Sequence, residues 1–243
     1  MLFIAMNAAK QTMNAQAINS SNLANANTTG FKADFQNSLS QQVYGPGLPS
    51  RVYATVENAG VDQTQGSIVT TGRELDISVD GEGWIAVQAA DGSEAYTRAG
   101  DLKIDNLGRL TNGAGHTILG EGGPISIPAN EKLEIGSDGT ISIRPIGQQV
   151  NSLAVIDRIK LINPPKDQLE KGPDGLMHMR NGGKGIADAS VKVVSGSLES
   201  SNVNTVSTLV RMIELARQYE TNIKLMKSAE DTDRAAAQIV KMS

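Results

Sequence analysis

Residues 203–242, VNTVSTLVRMIELARQYETNIKLMKSAEDTDRAAAQIVKM, contain neither glycine nor proline. Apolar side chains recur at Val203, Val206, Val210, Ile213, Ala216, Tyr219, Ile223, Met226, Ala229, Ala236 and Ile239. Steps of mostly three and four are the mark of an amphipathic helix. Glu220 and Glu230 each stand four residues before a cation, Lys224 and Arg234, which is the favourable order for helical ion pairs. The spacing predicts one helix of roughly 60 Å, with Asn202 or Asn204 as its N-cap.

The other end has the same character. Leu2, Met6, Ala9, Met13, Ala17 and Leu23 form a stripe of small or flexible side chains, and no glycine or proline occurs before Gly30. A helix of about 24 residues, roughly 36 Å long, is predicted. Its last part runs into NSSNLANANTTGFKADF, residues 19–35. Asparagine is a poor helix former because its amide competes for backbone hydrogen bonds. Asn19, Asn22 and Asn25 are three apart and share one drifting face. Amides that both donate and accept are suited to fixing register between packed neighbours. Gly30 is expected at the left-handed position that ends the helix, with Phe31 folding back toward Ala26.

The middle differs from both ends. From about residue 66 to 195 glycine is frequent, and Asp80-Gly81, Asp91-Gly92, Asn112-Gly113 and Asp138-Gly139 separate short β-rich runs. Strands are predicted at 75–79, 84–87, 125–127, 133–135, 141–143, 159–161 and 191–193. Residues 36–65, rich in Gln, Ser, Gly and Pro, read as an irregular connector with one strand at 51–56. The fold class is therefore α+β and multidomain. Residues 1–35 with 203–243 form a coiled-coil-like helical domain, 36–65 connect it, and 66–202 are an inserted antiparallel all-β module.

Two helices packed only on each other leave much of each stripe wet, and such a hairpin is marginal alone. The missing burial has to come from other chains. The residues expected at that assembly interface are Asn19, Asn22, Leu23, Asn25, Phe31, Val206, Val210, Ile213, Tyr219, Ile223 and Met226.

Composition narrows the function classes. The 243 residues carry a formal net charge of −4 with no basic cluster, so nucleic acid is not an expected partner. Aromatics are only 3% against 39% hydrophobic residues, which implies a core of aliphatic side chains. There is no cysteine, hence no disulfide, thiolate metal site or cysteine nucleophile. No apolar run is long enough for a transmembrane helix, and the apolar start MLFIAMNAAK lacks the basic n-region of a cleaved signal peptide.

His116 and His178 are the only histidines, and neither has a second one at metal spacing. Nucleophile-elbow, zincin and Walker patterns are missing, and Gly81-Glu-Gly83 lacks the context of a dinucleotide loop. No cofactor and no enzymatic activity are expected. A surface binding module with a helical stalk and a wall-cleaving hydrolase remain alternatives; an apolar pocket would favour the first, a buried carboxylate pair the second.

SNLANANTTGFK at 21–32 resembles the N-terminal signature of the axial proteins of the bacterial flagellum, the rod and hook proteins. GSLESSNV at 196–203, with RQYE at 217–220, is similar to the family's C-terminal signature. TGRELD at 71–76, GEGW at 81–84, YTRAG at 96–100 and DGT at 138–140 resemble its central motifs. The short connector GPGLPSR at 45–51, with VIDRIKL at 155–161 and DGL at 174–176, is closer to the proximal-rod members that adjoin the distal rod than to distal-rod members, which remain the alternative. Trp84 and Asn204 depart from the family's usual Phe and Asp.

The resemblance implies a structural subunit of the basal-body rod that polymerises through its terminal helices into a drive shaft transmitting torque. It also implies other proximal and distal rod subunits and copies of itself as partners. Export would run through the flagellar type III apparatus without a cleaved signal, to the periplasmic part of the basal body.

Overall fold

The computed structural model describes residues 2–42, 52–147 and 153–242; the 45–51 connector lies outside them. The chain forms two units. One is built from Met1–Ala26, Ala33–Asp62 and Val203–Ser243, the other from Asn27–Lys32 and Gln63–Asn202.

The first unit holds α1 (Leu2–Ala24), β1 (Asp34–Gln42), β2 (Val52–Val61) and α2 (Thr205–Met242). The stretch expected to be an irregular connector is largely an antiparallel ladder, from Asp34 opposite Val61 to Gln42 opposite Val52, with a bulge between Phe35 and Asn37. The sequence of β1, DFQNSLSQQ, lacks the β-branched residues that mark a strand. Pairing with the Val- and Tyr-bearing β2 overrides that weak local preference.

Gly30 does not terminate α1. The helix ends at Ala24, where the Asn25 N–H donates to the carbonyls of Ser21 and Asn22 and its side-chain amide donates to Ser21 O at 2.9 Å. Asparagine chemistry ends the helix six residues before the glycine. At the other helix Asn204 is the N-cap, its Oδ1 accepting from the Ser207 N–H at 3.0 Å.

The second unit begins with β3 (Ile68–Thr70), β4 (Ile77–Asp80), β5 (Trp84–Gln88), β6 (Glu94–Thr97), β7 (Leu102–Ile104), β8 (Leu110–Asn112) and β9 (Thr117–Ile118). It continues with β10 (Asn130–Ile135), β11 (Thr140–Pro145), β12 (Ala154–Arg158), β13 (Leu161–Ile162), β14 (Leu169–Lys171), β15 (Met177–Met179), β16 (Lys192–Ser195) and β17 (Ser197–Glu199). The largest sheet has the order β14-β15-β6-β5-β9-β8-β7, with β13 also on β5; β10-β11-β12 form a second, and β16-β4 and β17-β3 pair separately. Every pairing is antiparallel.

Asp91-Gly92 and Asp138-Gly139 close the β5–β6 and β10–β11 hairpins, as their spacing predicts. Asp80-Gly81 instead passes the chain from one sheet to another. Residues 125–127 make one isolated bridge, Ser126 with Arg109, and Pro124 just before them bridges Leu119. Pro124 and Pro128 flank that run and cannot donate to a ladder. Of the expected strand at 159–161 only Leu161 lies in a strand, β13; Ile159 forms an isolated bridge with Gly120 in the gap after β12.

The core cluster lies in this unit and is wholly aliphatic, with Ile77, Ile85, Val87, Leu102, Leu110, Ile118, Ile125 and Ile141 fully buried. Each such side chain contributes about 1.5–3 kcal/mol by leaving water. Among aromatics, Tyr96 is fully buried beside that cluster. Its hydroxyl donates to Glu94 Oε1 at 2.7 Å and accepts from the Gly185 N–H at 2.6 Å. Burial, and then the Glu94 carboxylate, push the phenol pKa up.

Candidate functional site

Within the helical unit, the buried side chains of α2 among the described residues are Thr208, Leu215 and Asn222, each seven residues from the next. Ala9, Thr12, Asn19 and Asn22 are buried on α1. The Asn19 amide donates to Thr208 O at 2.8 Å, and the Asn222 amide donates to Thr12 Oγ1 at 3.2 Å. Two polar layers thus fix how α1 lies against α2, since neither amide is satisfied at another register.

Asn22 is bound to the hairpin instead: its Nδ2 donates to Asp34 O at 2.7 Å and its Oδ1 accepts from the Asp34 N–H at 2.9 Å. The asparagines expected between chains are therefore engaged within this one. Their donors and acceptors give no sequence clue to whether the partner is internal.

The apolar stripe of α2 divides. Met226, four after Asn222, is half-buried, whereas Tyr219, four after Leu215, is exposed. Val206, Val210, Ile213 and Ile223 are exposed, and Val206 is 70% exposed. Leu209 joins them, so that positions 206, 209, 210 and 213 make one outward apolar face at i, i+3, i+4 and i+7. The sequence reading left out Leu209, although helical spacing alone places it on that face.

On α1, Phe3, Met6 and Met13 are exposed, while Leu23 is half-buried. Phe31 belongs to the second unit, where the Lys171 ammonium lies 4.2 Å from its ring centre. Large apolar side chains recurring along solvent-facing helix sides are a surface that gains by association. Each one covered contributes about 1.5–3 kcal/mol.

The second unit contains a buried charge cluster that sequence reasoning missed. The Glu199 carboxylate is fully buried between Lys32 Nζ, 2.6 Å from Oε1, and Arg98 Nη1, 2.9 Å from Oε2. The Gly66 N–H also donates to Oε1 at 2.9 Å. Lys32 Nζ reaches Thr64 O at 2.6 Å, and Arg98 Nη2 reaches Gly81 O at 2.8 Å. Burial presses the Arg98 guanidinium below its ordinary pKa, and the charge of Glu199 opposes that shift. The only signal available beforehand was a charged residue inside each of three signature-like stretches.

Among the described residues no three His, Cys, Asp or Glu side chains are grouped to hold a metal. His178 Nε2 lies 3.0 Å from Asp174, on the surface. A cleft of about 480 Å³ beside Pro164, Pro165, Met179 and Ile186 is open, and polar and apolar atoms share its wall. An enclosed and mostly apolar pocket, which a small-molecule site needs, is not what this cleft offers.

Comparison with known proteins gives three family matches along the chain. Residues 2–32 match "Flagella basal body rod protein", 78–143 match "Flagellar hook protein FlgE/F/G D1 domain", and 194–239 match "Flagellar basal body rod FlgEFG protein C-terminal". The flagellar basal-body rod protein FlgF of Escherichia coli (strain K12) is 40% identical over 248 residues, covering 100% of this chain and 98% of that protein. FlgF of Salmonella typhimurium is 38% identical over the same span. The flagellar basal-body rod protein FlgG of Bacillus subtilis is 32% identical over 86% of this chain and 87% of its own length. The chain belongs to the flagellar rod FlgE/F/G family of basal-body proteins.

Proposed function

We propose that this chain is a structural subunit of the proximal part of the flagellar basal-body rod. The observation that carries the reading is the match to FlgF proteins over the whole chain at 40% identity, against 32% for a FlgG protein. The family is one of structural proteins, and its members are not enzymes.

In this reading the terminal helices, residues 1–35 and 203–243, pack in coiled-coil fashion with those of neighbouring subunits into an inner tube. The β-rich residues 66–202 form the outer layer. The outward face of Val206, Leu209, Val210 and Ile213, with Phe3, Met6 and Met13 on α1, supports this arrangement, because it is apolar and uncovered in a single chain. Repetition of a contact that does not close on itself generates a helical filament, which transmits torque as a shaft. Neighbours are copies of this chain and other rod subunits. Export runs through the flagellar type III apparatus, and the rod stands in the periplasm.

The test is Ile213→Asp, expressed in a strain lacking the native protein. Ile213 is 56% exposed, so thermal unfolding of the purified variant should stay within about 0.5 kcal/mol of the parent. Incorporation into isolated basal bodies, and swimming, should be abolished, because an unpaired charge cannot be buried at the contact. Functional rods built from the variant would refute the assigned face.

A further inference from the structure

The three stretches that match the family models each deliver one charged residue to a single buried point. Lys32 ends the first match, Arg98 lies inside the second, and Glu199 inside the third. In sequence Lys32 and Arg98 stand 167 and 101 residues from Glu199. All three, with every bond described for them, lie within the β-rich unit.

A buried ion cluster is a poor explanation of stability in itself. Desolvation offsets much of the attraction, and well-packed apolar side chains of the same volume commonly do as well. What such a cluster supplies is selectivity, since a buried carboxylate accepts only one arrangement of its partners. The segment Asn27–Lys32 supplies one of those partners. It is a run of turns outside any helix or strand, with Gly30 and Lys32 buried, and backbone hydrogen bonds tie it to residues 199–202. The Gly30 N–H donates to Glu199 O at 2.8 Å, and the Asn202 N–H donates to Phe31 O at 3.3 Å. On the far side of the same strand, the Ser200 N–H donates to Ser67 O at 2.8 Å. The residues following α1 in sequence and those preceding α2 are therefore bound side by side, and Lys32 and Glu199 form the charged bond between them.

We propose that the Lys32–Glu199–Arg98 cluster is a docking lock, in which residues 200–202, just beyond β17, become ordered only when the segment Asn27–Lys32 has brought its ammonium to Glu199. Arg98 holds one carboxylate oxygen from the β side, and Lys32 completes the other. With the segment undocked, Glu199 Oε1 keeps only the Gly66 N–H, and water enters to replace the missing cation. The lead-in to the second helix is then released together with the lead-out from the first. The device rests on this unit's geometry alone and holds whether or not the chain is a rod subunit.

The coupling is reciprocal by thermodynamic necessity, which makes it testable by hydrogen exchange on the full chain. Lys32→Met should lower protection of the Ser200 and Asn202 amides at least tenfold, and Glu199→Gln should do the same for the Gly30 amide. The amides of β5 and β11 should stay at their parent values in both variants. Unchanged protection at Ser200 and Asn202 in Lys32→Met would overturn the proposal. So would loss of protection throughout the β-rich unit, because the cluster would then act on global stability and not as a local lock.

Discussion

Gly30→Ala should be unusually costly, and its cost can be divided into parts. The residue sits at φ +65°, a left-handed conformation that costs an alanine about 1–2 kcal/mol. An added Cβ would also lie 2.2 Å from the carbonyl carbon of Arg98 and 2.4 Å from Ala99 N. Restoring ordinary contact requires the two backbones to part by about 1 Å or more. That movement strains the 2.8 Å bond from the Gly30 N–H to Glu199 O, and an unsatisfied buried pair costs about 1–3 kcal/mol.

The sum is about 3 kcal/mol. In a unit of this size each kcal/mol lowers Tm by roughly 2–4 °C, so a fall of about 6–12 °C is expected by calorimetry. Gly72→Ala is the control for conformation alone, since Gly72 has φ +72° and no atom within 4 Å of an added Cβ. It should cost about 1 kcal/mol. Gly100→Ala is the control for collision alone, since its Cβ would meet Ile77 O at 1.9 Å without a positive φ. If Gly30→Ala melts within 2 °C of Gly72→Ala, the close approach of residues 27–32 to Arg98 is wrong.

Tyr96→Phe removes the acceptor of the buried Gly185 N–H and the hydroxyl donor to Glu94. A loss of about 1–3 kcal/mol is expected, read as a lower denaturant midpoint with unchanged m-value; an unchanged midpoint would contradict the buried network. Acid should destabilise the β-rich unit through its turn aspartates. The carboxyls of Asp91, Asp138 and Asp188 are held low first by the hydroxyls of Ser93, Thr140 and Ser190, and that of Asp105 first by the Arg109 N–H. Their pKa values are lower folded than unfolded, so their stabilisation is complete above about pH 4 and is lost as pH falls through the folded values. Between pH 5 and pH 2.5 the melting temperature should fall more steeply in the parent than in a variant with all four changed to Asn. Equal slopes would refute the assignment.

What could be read from the sequence follows the range of each interaction. The helices and hairpin turns were legible because their causes are local: stripes without glycine or proline, and Asp-Gly pairs between β-branched runs. The β1–β2 ladder was not, because β1 is made of Gln, Ser and Asn and owes its conformation to its partner strand. The asparagines of α1 were recognised as register-fixing groups, but helical spacing says nothing about whether a partner is internal. Asn19 meets a carbonyl 189 residues away. Lys32, Arg98 and Glu199 each lay inside a signature-like stretch, but no spacing links them, and charges are ordinarily surface residues. The outward apolar positions of α2 were legible for the opposite reason: a stripe wider than one partner helix can cover leaves a surplus visible in the sequence.

Trp84 is the only tryptophan in the chain. It is 5% exposed, and the Arg98 guanidinium carbon lies 5.4 Å from its ring centroid. The chain thus carries one native fluorophore, and it touches the cation that grips Glu199. Indole emission shifts with the charge and water around the ring, so a single unlabelled optical signal reports on the spot where the beginning, middle and end of the polypeptide converge.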